Sequence, residues 1–445
     1  MKAEVAGDFA TALSSFRRGD YEGVIRWSTD YLGASDSGQD AAMELRVIRL
    51  LLSASEMWWR DAVVSDRYVP VRQLIERADE AAARTGDPAD LAVVHYLRGT
   101  AQVTAESLTQ SVATLDAAVE LARRAGDRFT ELAALARLGH HTVGRNLARG
   151  LKLLHEAHAL AKLPGSFRHP EDIMLSEGIR TRLVGYIGVA EFDKGSFGAA
   201  ELHLRESLDK LVAVDARAMM SNYLGQLLTA EGRFEEAEEV LRAALALLGP
   251  DSRESGHQGY NFAQLGKLYL EAGRPADAEG PLVEGWRQVR ASGNVSLLPL
   301  VRNFLAELLM DEEFPGRDLS RAAALLDETV AECTRTGFQR SEIAALALGA
   351  RVAAARDDVP TALGLSERAV RRLEVSGTMP ALRKEEVYLA RHDVLVAAGE
   401  MSEARRWLEL ARNEVDRKAS SIADLRRRKV FFERVRLNRA IRRAH

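Results

Sequence analysis

The chain has 445 residues, is 47% hydrophobic and 28% charged, and carries a net charge of −4; this is a globular composition that excludes a disordered polypeptide and gives no overall pull toward nucleic acid. At this length one compact core is not expected, which leaves several domains or a repeat array. Cys333 is the sole cysteine, excluding an intrachain disulfide and a cysteine-based zinc site and fitting a reducing, cytoplasmic compartment; with no apolar run near Met1 and no long uncharged apolar stretch, neither a secretory leader nor a membrane span is expected.

In chain order, a first helix pair is expected over 4–32, turning at Gly19 and Asp20, followed by a loop at 33–38. A strongly apolar helix spans 41–59, 61–69 is irregular, and Pro70 opens a helix to Arg84. Helix pairs follow at 89–125, 128–163, 171–213, 215–248, 254–292, 295–336, 339–376 and 380–418. The stretch 163–170, with Pro164, Gly165 and Pro170, is the best place for a bend or boundary. The stretch 311–318 is a lengthened loop inside its pair, and 420–444 is a terminal helix. The division is therefore 1–165 as divergent helical repeats, 171–419 as a regular array and 420–445 as a basic terminal helix.

Two marks punctuate the chain. Turns at Gly195, Gly232 and Gly273 stand 37 and 41 residues apart, and an alanine follows each (Ala200, Ala237, Ala278). Gly399 and Ala404 repeat the pattern 126 residues after Gly273, three steps of 42. Out of phase with these, Gly86, Gly126, Gly293, Gly337 and Gly377 end helical runs, as glycine does at a helix C-terminus. Between the marks apolar residues recur at helical spacing, as at Leu241, Ala244, Leu245 and Leu248. Gly225 and Gly266 mark places where two helices cross closely, Ala237 and Ala278 are small for the same reason, and Phe197 and Phe234 plug the gap to the next pair. No single pair can bury its apolar face, so neighbours must stack.

This grammar of an aromatic, Leu-Gly, Tyr and then Gly-x-aromatic-x-x-Ala resembles the tetratricopeptide family over 180–290, more loosely over 90–165 and 340–415, and weakly over 1–88. The repeat is the long form of about 40 residues, similar to the arrays of kinesin light chains and of the sensor domains of MalT-like bacterial regulators. The end of the chain, from Ile422 through Phe431, Phe432 and Val435 to Asn438, resembles the closing segment of arrays attached to bacterial regulators and nucleotide cyclases. The resemblance implies an all-α, right-handed solenoid of about ten antiparallel helix pairs with a C-terminal capping helix. It further implies that the first helix of each pair lines a concave groove.

On that geometry the positions flanking Gly225 and its equivalents face the groove. They include Asn222, Gln226, Lys267 and Arg351, with Tyr96, Thr100 and Tyr260 beside them. Such side chains on a concave wall point to an anionic or peptide-backbone ligand, or else are ordinary solvated polar residues. Of the family's chaperone-binding carboxylate clamp only Asn222 and Lys267 match a part. His140, His141, His155 and His158 cluster in sequence, but an antiparallel turn near Arg145 leaves the two pairs more than a helix turn apart, so no metal site is expected. The stretch 259–267 has the wrong spacing for a phosphate loop and no strand before it. With no nucleophile elbow, zinc-protease motif or dinucleotide fingerprint, neither catalysis nor a cofactor is expected. Trp58 and Trp59 are either a binding hot spot or packed core.

Residues 417–445 hold 11 Lys/Arg against Asp424 and Glu433, leaving the body acidic. This tail could meet nucleic acid or an acidic partner, or, as the favoured reading, form an amphipathic cap that buries Phe431, Phe432, Val435 and Leu437. The expected function is binding of a protein or peptide in the concave groove, as a scaffold or regulatory subunit, with no membrane or nucleic-acid partner. The alternative is the ligand-sensing half of a transcriptional or signalling regulator.

Overall fold

The computed structural model describes residues 2–33, 40–56, 71–163, 165, 167–211, 214–248, 256–376 and 383–444; the expectations for Trp58, Trp59, Pro70, Gly377 and most of the 33–38 loop fall outside them. The described residues form helices and no strand. The helices come in successive pairs: α1 (Lys2–Arg17) with α2 (Tyr21–Gly33), α3 (Ala41–Glu56) with α4 (Val71–Thr85), α5 (Pro88–Ala105) with α6 (Leu108–Ala125), and α7 (Arg128–Val143) with α8 (Leu147–Lys162). Then come α9 (Pro170–Lys194) with α10 (Phe197–Lys210), α11 (Val214–Ala230) with α12 (Phe234–Leu247), and α13 (His257–Glu271) with α14 (Pro275–Ser292). The series ends with α15 (Leu298–Met310) and α16 (Leu319–Thr336), α17 (Gln339–Ala354) and α18 (Val359–Ser376), and α19 (Lys384–Ala397) and α20 (Met401–Ser420). Two short helices, α21 (Leu425–Arg434) and α22 (Arg436–Arg443), complete the chain.

Local chemistry sets these boundaries. Ser107, Asp127, Asn146 and Asp318 each accept a backbone N–H of the helix that follows, satisfying a donor that the helix itself cannot. Gly337 ends α16 at φ +85°, in the left-handed region that disfavours a Cβ. Within pairs, a glycine on the first helix faces a leucine on the second. A Cβ on Gly99, Gly139, Gly188, Gly225 or Gly266 would come within 2.5–3.1 Å of Leu115, Leu154, Leu204, Leu241 or Leu282 respectively. Ala306 takes the glycine's place in α15, fully buried against α16. The stacked pairs share an apolar spine running from Phe9 to Ile441.

The array curls until distant pairs touch. The Val295 N–H, between α14 and α15, donates to the Thr104 carbonyl at the end of α5 (3.0 Å), and Gly337 rests against Thr109. The 25-residue α9 is longer than its equivalents and reaches back to α3, where Arg46 and Arg49 bind Glu171 and Arg49 lies 2.6 Å from Asp172.

The expected terminal helix is two helices. At Val435 the backbone is extended (φ −67°, ψ 116°), and buried Asn438 donates its side-chain amide to the Phe431 carbonyl (3.0 Å). A side chain thus competes for a backbone acceptor at the break. Nor does this segment stay on the last pair: it runs as a strap along three earlier pairs, α9–α10, α11–α12 and α15–α16. Ser421 donates to the Gly195 carbonyl (2.8 Å), Arg427 binds Glu201 and Glu231, Arg434 binds Glu235, and Arg436 binds Asp311. The acidic partner met by these three arginines is the chain's own edge.

Candidate functional site

The first helices α9, α11, α13, α15, α17 and α19 together wall a cleft, and the strap closes one side of it with Phe431, Val435, Leu437 and Asn438. Gln226, Lys267 and Glu307 occupy the same place in three successive repeats, one residue after Gly225, Gly266 and Ala306. Each lines the cleft, because a shared helical register repeated from pair to pair sets equivalent residues in a ladder.

Of the residues singled out from sequence, Gln226, Lys267 and Arg351 line this one cleft. Gln226 donates to Asn222 (2.6 Å) and to the Tyr260 hydroxyl (3.4 Å), and Gln264 donates to the same hydroxyl (2.8 Å). Asn222 is buried beneath the wall, at 2% exposure. Tyr96 is also buried and belongs to a different hollow, with Phe16, Tyr21 and Arg182. Thr100 is one helical turn beyond it. Burial pushes the Tyr96 hydroxyl up to about 12, so it stays neutral.

Lys267 is not an open anion receptor. Its ammonium lies 2.8 Å from Glu271 and 2.5 Å from Glu307. Arg383 joins the same group, 2.7 Å from Glu271 and 3.0 Å from Glu386. Burial works to raise the Glu271 carboxyl, but Arg383 and Lys267 outweigh it and hold the pKa at about 2. Glu307 moves the other way, raised by burial against the pull of Lys267. On the strap side, buried Lys418 binds both oxygens of Glu385 at 2.7 Å. These charges brace the wall from inside.

Arg340, Asn303, Phe304 and Gln264 line the cleft too and were not singled out from sequence. Asn303 stands three residues before Ala306 as Asn222 does before Gly225, so the repeat register held the signal, but the missing glycine hid the landmark. Arg340 sits on the first turn of α17, a full two turns before Gly349, where flanking-position logic does not reach.

His140 and His141 make contacts within the fold. His140 stacks on Tyr186 (centroids 4.1 Å apart, 18°), and His141 Nδ1 lies 2.9 Å from the Ser111 hydroxyl. That hydroxyl spends its proton on the Gly99 carbonyl (2.7 Å), so His141 Nδ1 must be the donor. His155 is exposed, and no metal-binding cluster occurs among the described residues. Burial, with Arg137 and Arg340, pushes His140 down to about 3, and burial pushes His257 down to about 4. In the unfolded chain both titrate near pH 6.5. Below 6.5 the unfolded state therefore takes up protons that the fold refuses. Their stabilising contribution is complete above 6.5 and declines as pH falls toward 4, by about 1.4 kcal/mol per pH unit for each histidine. Thermal melts between pH 7.5 and 5 are expected to show this slope and His257→Gln to flatten it; equal midpoints across the window would contradict the assignment.

No family model matches the sequence, and neither does any curated protein. Solved structures do share the fold. The Rap protein complexed with Competence and Sporulation Factor superposes with a TM-score of 0.59 at 13% identity, covering 84% of this chain and 99% of that one. The apo form of the quorum sensor NprR from B. thuringiensis is looser, at a TM-score of 0.46 and 15% identity over 93% of this chain and 99% of that one. Yeast Tom70 gives 0.37 at 12% identity over 99% and 97%. No described helix is long and apolar enough to cross a membrane. With paired helices, glycine–leucine crossings inside five successive pairs and the Rap superposition, the chain has the fold of the tetratricopeptide-type helical-repeat proteins.

Proposed function

We propose that this protein is a non-catalytic binding protein that holds a peptide, or an extended segment of a protein, in the cleft between its first helices and its terminal strap. One observation carries the reading: the same wall offers Phe192, Leu300, Phe304 and Leu348 as apolar footing together with the amides of Gln226, Gln264 and Asn303. Side-chain amides both donate and accept, as a peptide backbone does, and apolar stretches between them suit its side chains. The acids and bases of the Lys267–Arg383 group are locked in mutual ion pairs, which supports holding rather than proton transfer. The superposed Rap protein was solved in complex with Competence and Sporulation Factor, a likeness of fold that agrees with this reading.

Half-buried Ala344 on α17 lines the cleft, and Ala344→Trp would fill it. A pool of synthetic hexapeptides passed with the protein through gel filtration and read by mass spectrometry tests the idea. The wild type is expected to retain peptides, and Ala344→Trp to retain about tenfold less, a loss of about 1.4 kcal/mol, with the helical signal intact. Equal retention by the two proteins would remove the cleft from the argument.

A further inference from the structure

Among the described residues the cleft's charges are matched within the chain, with one exception. Lys267, Arg351, Arg383 and Lys418 each stand at 4.0 Å or less from a carboxylate of the wall. Half-buried Arg340 lines the same cleft, and among the described residues it makes no ion pair and no hydrogen bond. It occupies the first turn of α17, where the helix dipole adds to its positive potential. Its charge is felt by His140, Tyr223 and Tyr260, which come from three other helices.

A second orphan stands beside it. Asn303, only 5% exposed, donates its Nδ2 to the carbonyl of Ser341, the residue next to Arg340 (3.1 Å). Its Oδ1 has no partner. A buried acceptor without a donor is costly, and buried polar groups in native proteins nearly always find one. A guanidinium in a half-apolar cleft likewise seeks a carboxylate, which it can hold through two parallel N–H bonds. Phe304 and Leu348 also line the cleft, and their low polarity would strengthen such a bond.

We propose that Arg340 receives a carboxylate of the bound peptide and that Asn303 Oδ1 takes an N–H next to it. This rests on the peptide-binding reading above and adds to it the anchoring chemistry. The carboxylate is either the peptide's C-terminus or an Asp or Glu side chain, and one experiment separates the two.

The hexapeptide pool is prepared half as free acids and half as C-terminal amides, mixed in equal amounts and passed over wild type and Arg340→Gln. Arg340→Gln removes no internal bond, so its melting temperature should match that of the wild type. If the wild type enriches free acids about tenfold over amides and the variant does not, the terminal carboxylate is the anchor. If Asp and Glu are enriched in both halves and the variant loses that preference, the anchor is a side chain. Arg340→Lys should keep part of either preference. Wild-type retention indifferent to both carboxylates, or a preference unchanged in Arg340→Gln, overturns the proposal and leaves the cleft reading standing. Retention of no peptide at all by the wild type overturns both.

Discussion

Gly285→Ala is expected to lower the stability of the seventh helix pair by about 3 kcal/mol, whereas Gly280→Ala, five residues earlier on the same helix, is expected to raise it by up to about 1 kcal/mol. In an open helix, replacing glycine by alanine removes backbone freedom from the unfolded chain and favours folding. Gly280 is such a site: it is exposed, and a Cβ there would meet nothing within 4 Å. At Gly285 a Cβ would stand 2.6 Å from the Gly259 carbonyl oxygen and 2.8 Å from the Ala263 nitrogen. Both are backbone atoms of α13, so neither can swing aside as a side chain would. The clash is reciprocal, since a Cβ on Gly259 would lie 2.9 Å from the Gly285 carbonyl oxygen. The two helices touch main chain to main chain and must separate to admit a methyl group. Repeat arrays need not unfold as one unit, so urea titration should be paired with hydrogen exchange to place the loss at residues 257–292. Two effects of the same sign would show that packing does not set the crossing.

The same crossings explain what was legible in the sequence. A glycine at a helix crossing leaves a mark that survives repetition, so Gly225 and Gly266, with the turns at Gly195, Gly232 and Gly273, disclosed the pairs and their period of about 40 residues. Even the long loop before α16 could be placed, because Pro315 and Gly316 interrupt two helical patterns. Two kinds of feature stayed hidden. Lys267 looked like an anion receptor because its own register was readable while that of Glu307, the counterion 40 residues on, was masked by Ala306. The path of the terminal strap was hidden for a different reason. Its ion pairs join residues 125 to 226 positions apart, and nothing in local periodicity encodes how far the array must curl before its ends meet. Composition foretold that the tail was basic and amphipathic. Only the superhelix could show that Glu201, Glu231, Glu235 and Asp311 are what it lies on.

That strap yields the second large effect. Arg427→Met should cost about 3 kcal/mol and free the strap, because it leaves Glu231 as a buried carboxylate with too little compensation. Glu231 is fully buried, and Arg427 reaches both its oxygens, at 2.8 and 2.5 Å. The remaining cation, Arg233, is 3.3 Å away and shared with Glu201 and Glu236. A hydrophobic residue at 427 keeps the packing volume but removes the counterion, so the strain falls on the charge itself. Adding Glu231→Gln should then recover much of the loss, since a neutral amide needs no cation. Non-additivity of that sign separates an electrostatic lock from simple packing. Hydrogen exchange over 425–443 is the direct measure. Detachment would also expose Phe431, which is 2% exposed and packs edge-on against Phe197 with centroids 5.8 Å apart. Exchange unchanged in Arg427→Met, or a double variant less stable than the single one, would mean that the apolar contacts hold the strap and that the ion pair is incidental. If the lock is electrostatic, moderate salt should weaken it little, because counterions screen exposed charges far better than buried ones. The cleft would then keep the side that the strap closes across the ionic strengths at which peptide retention is tested.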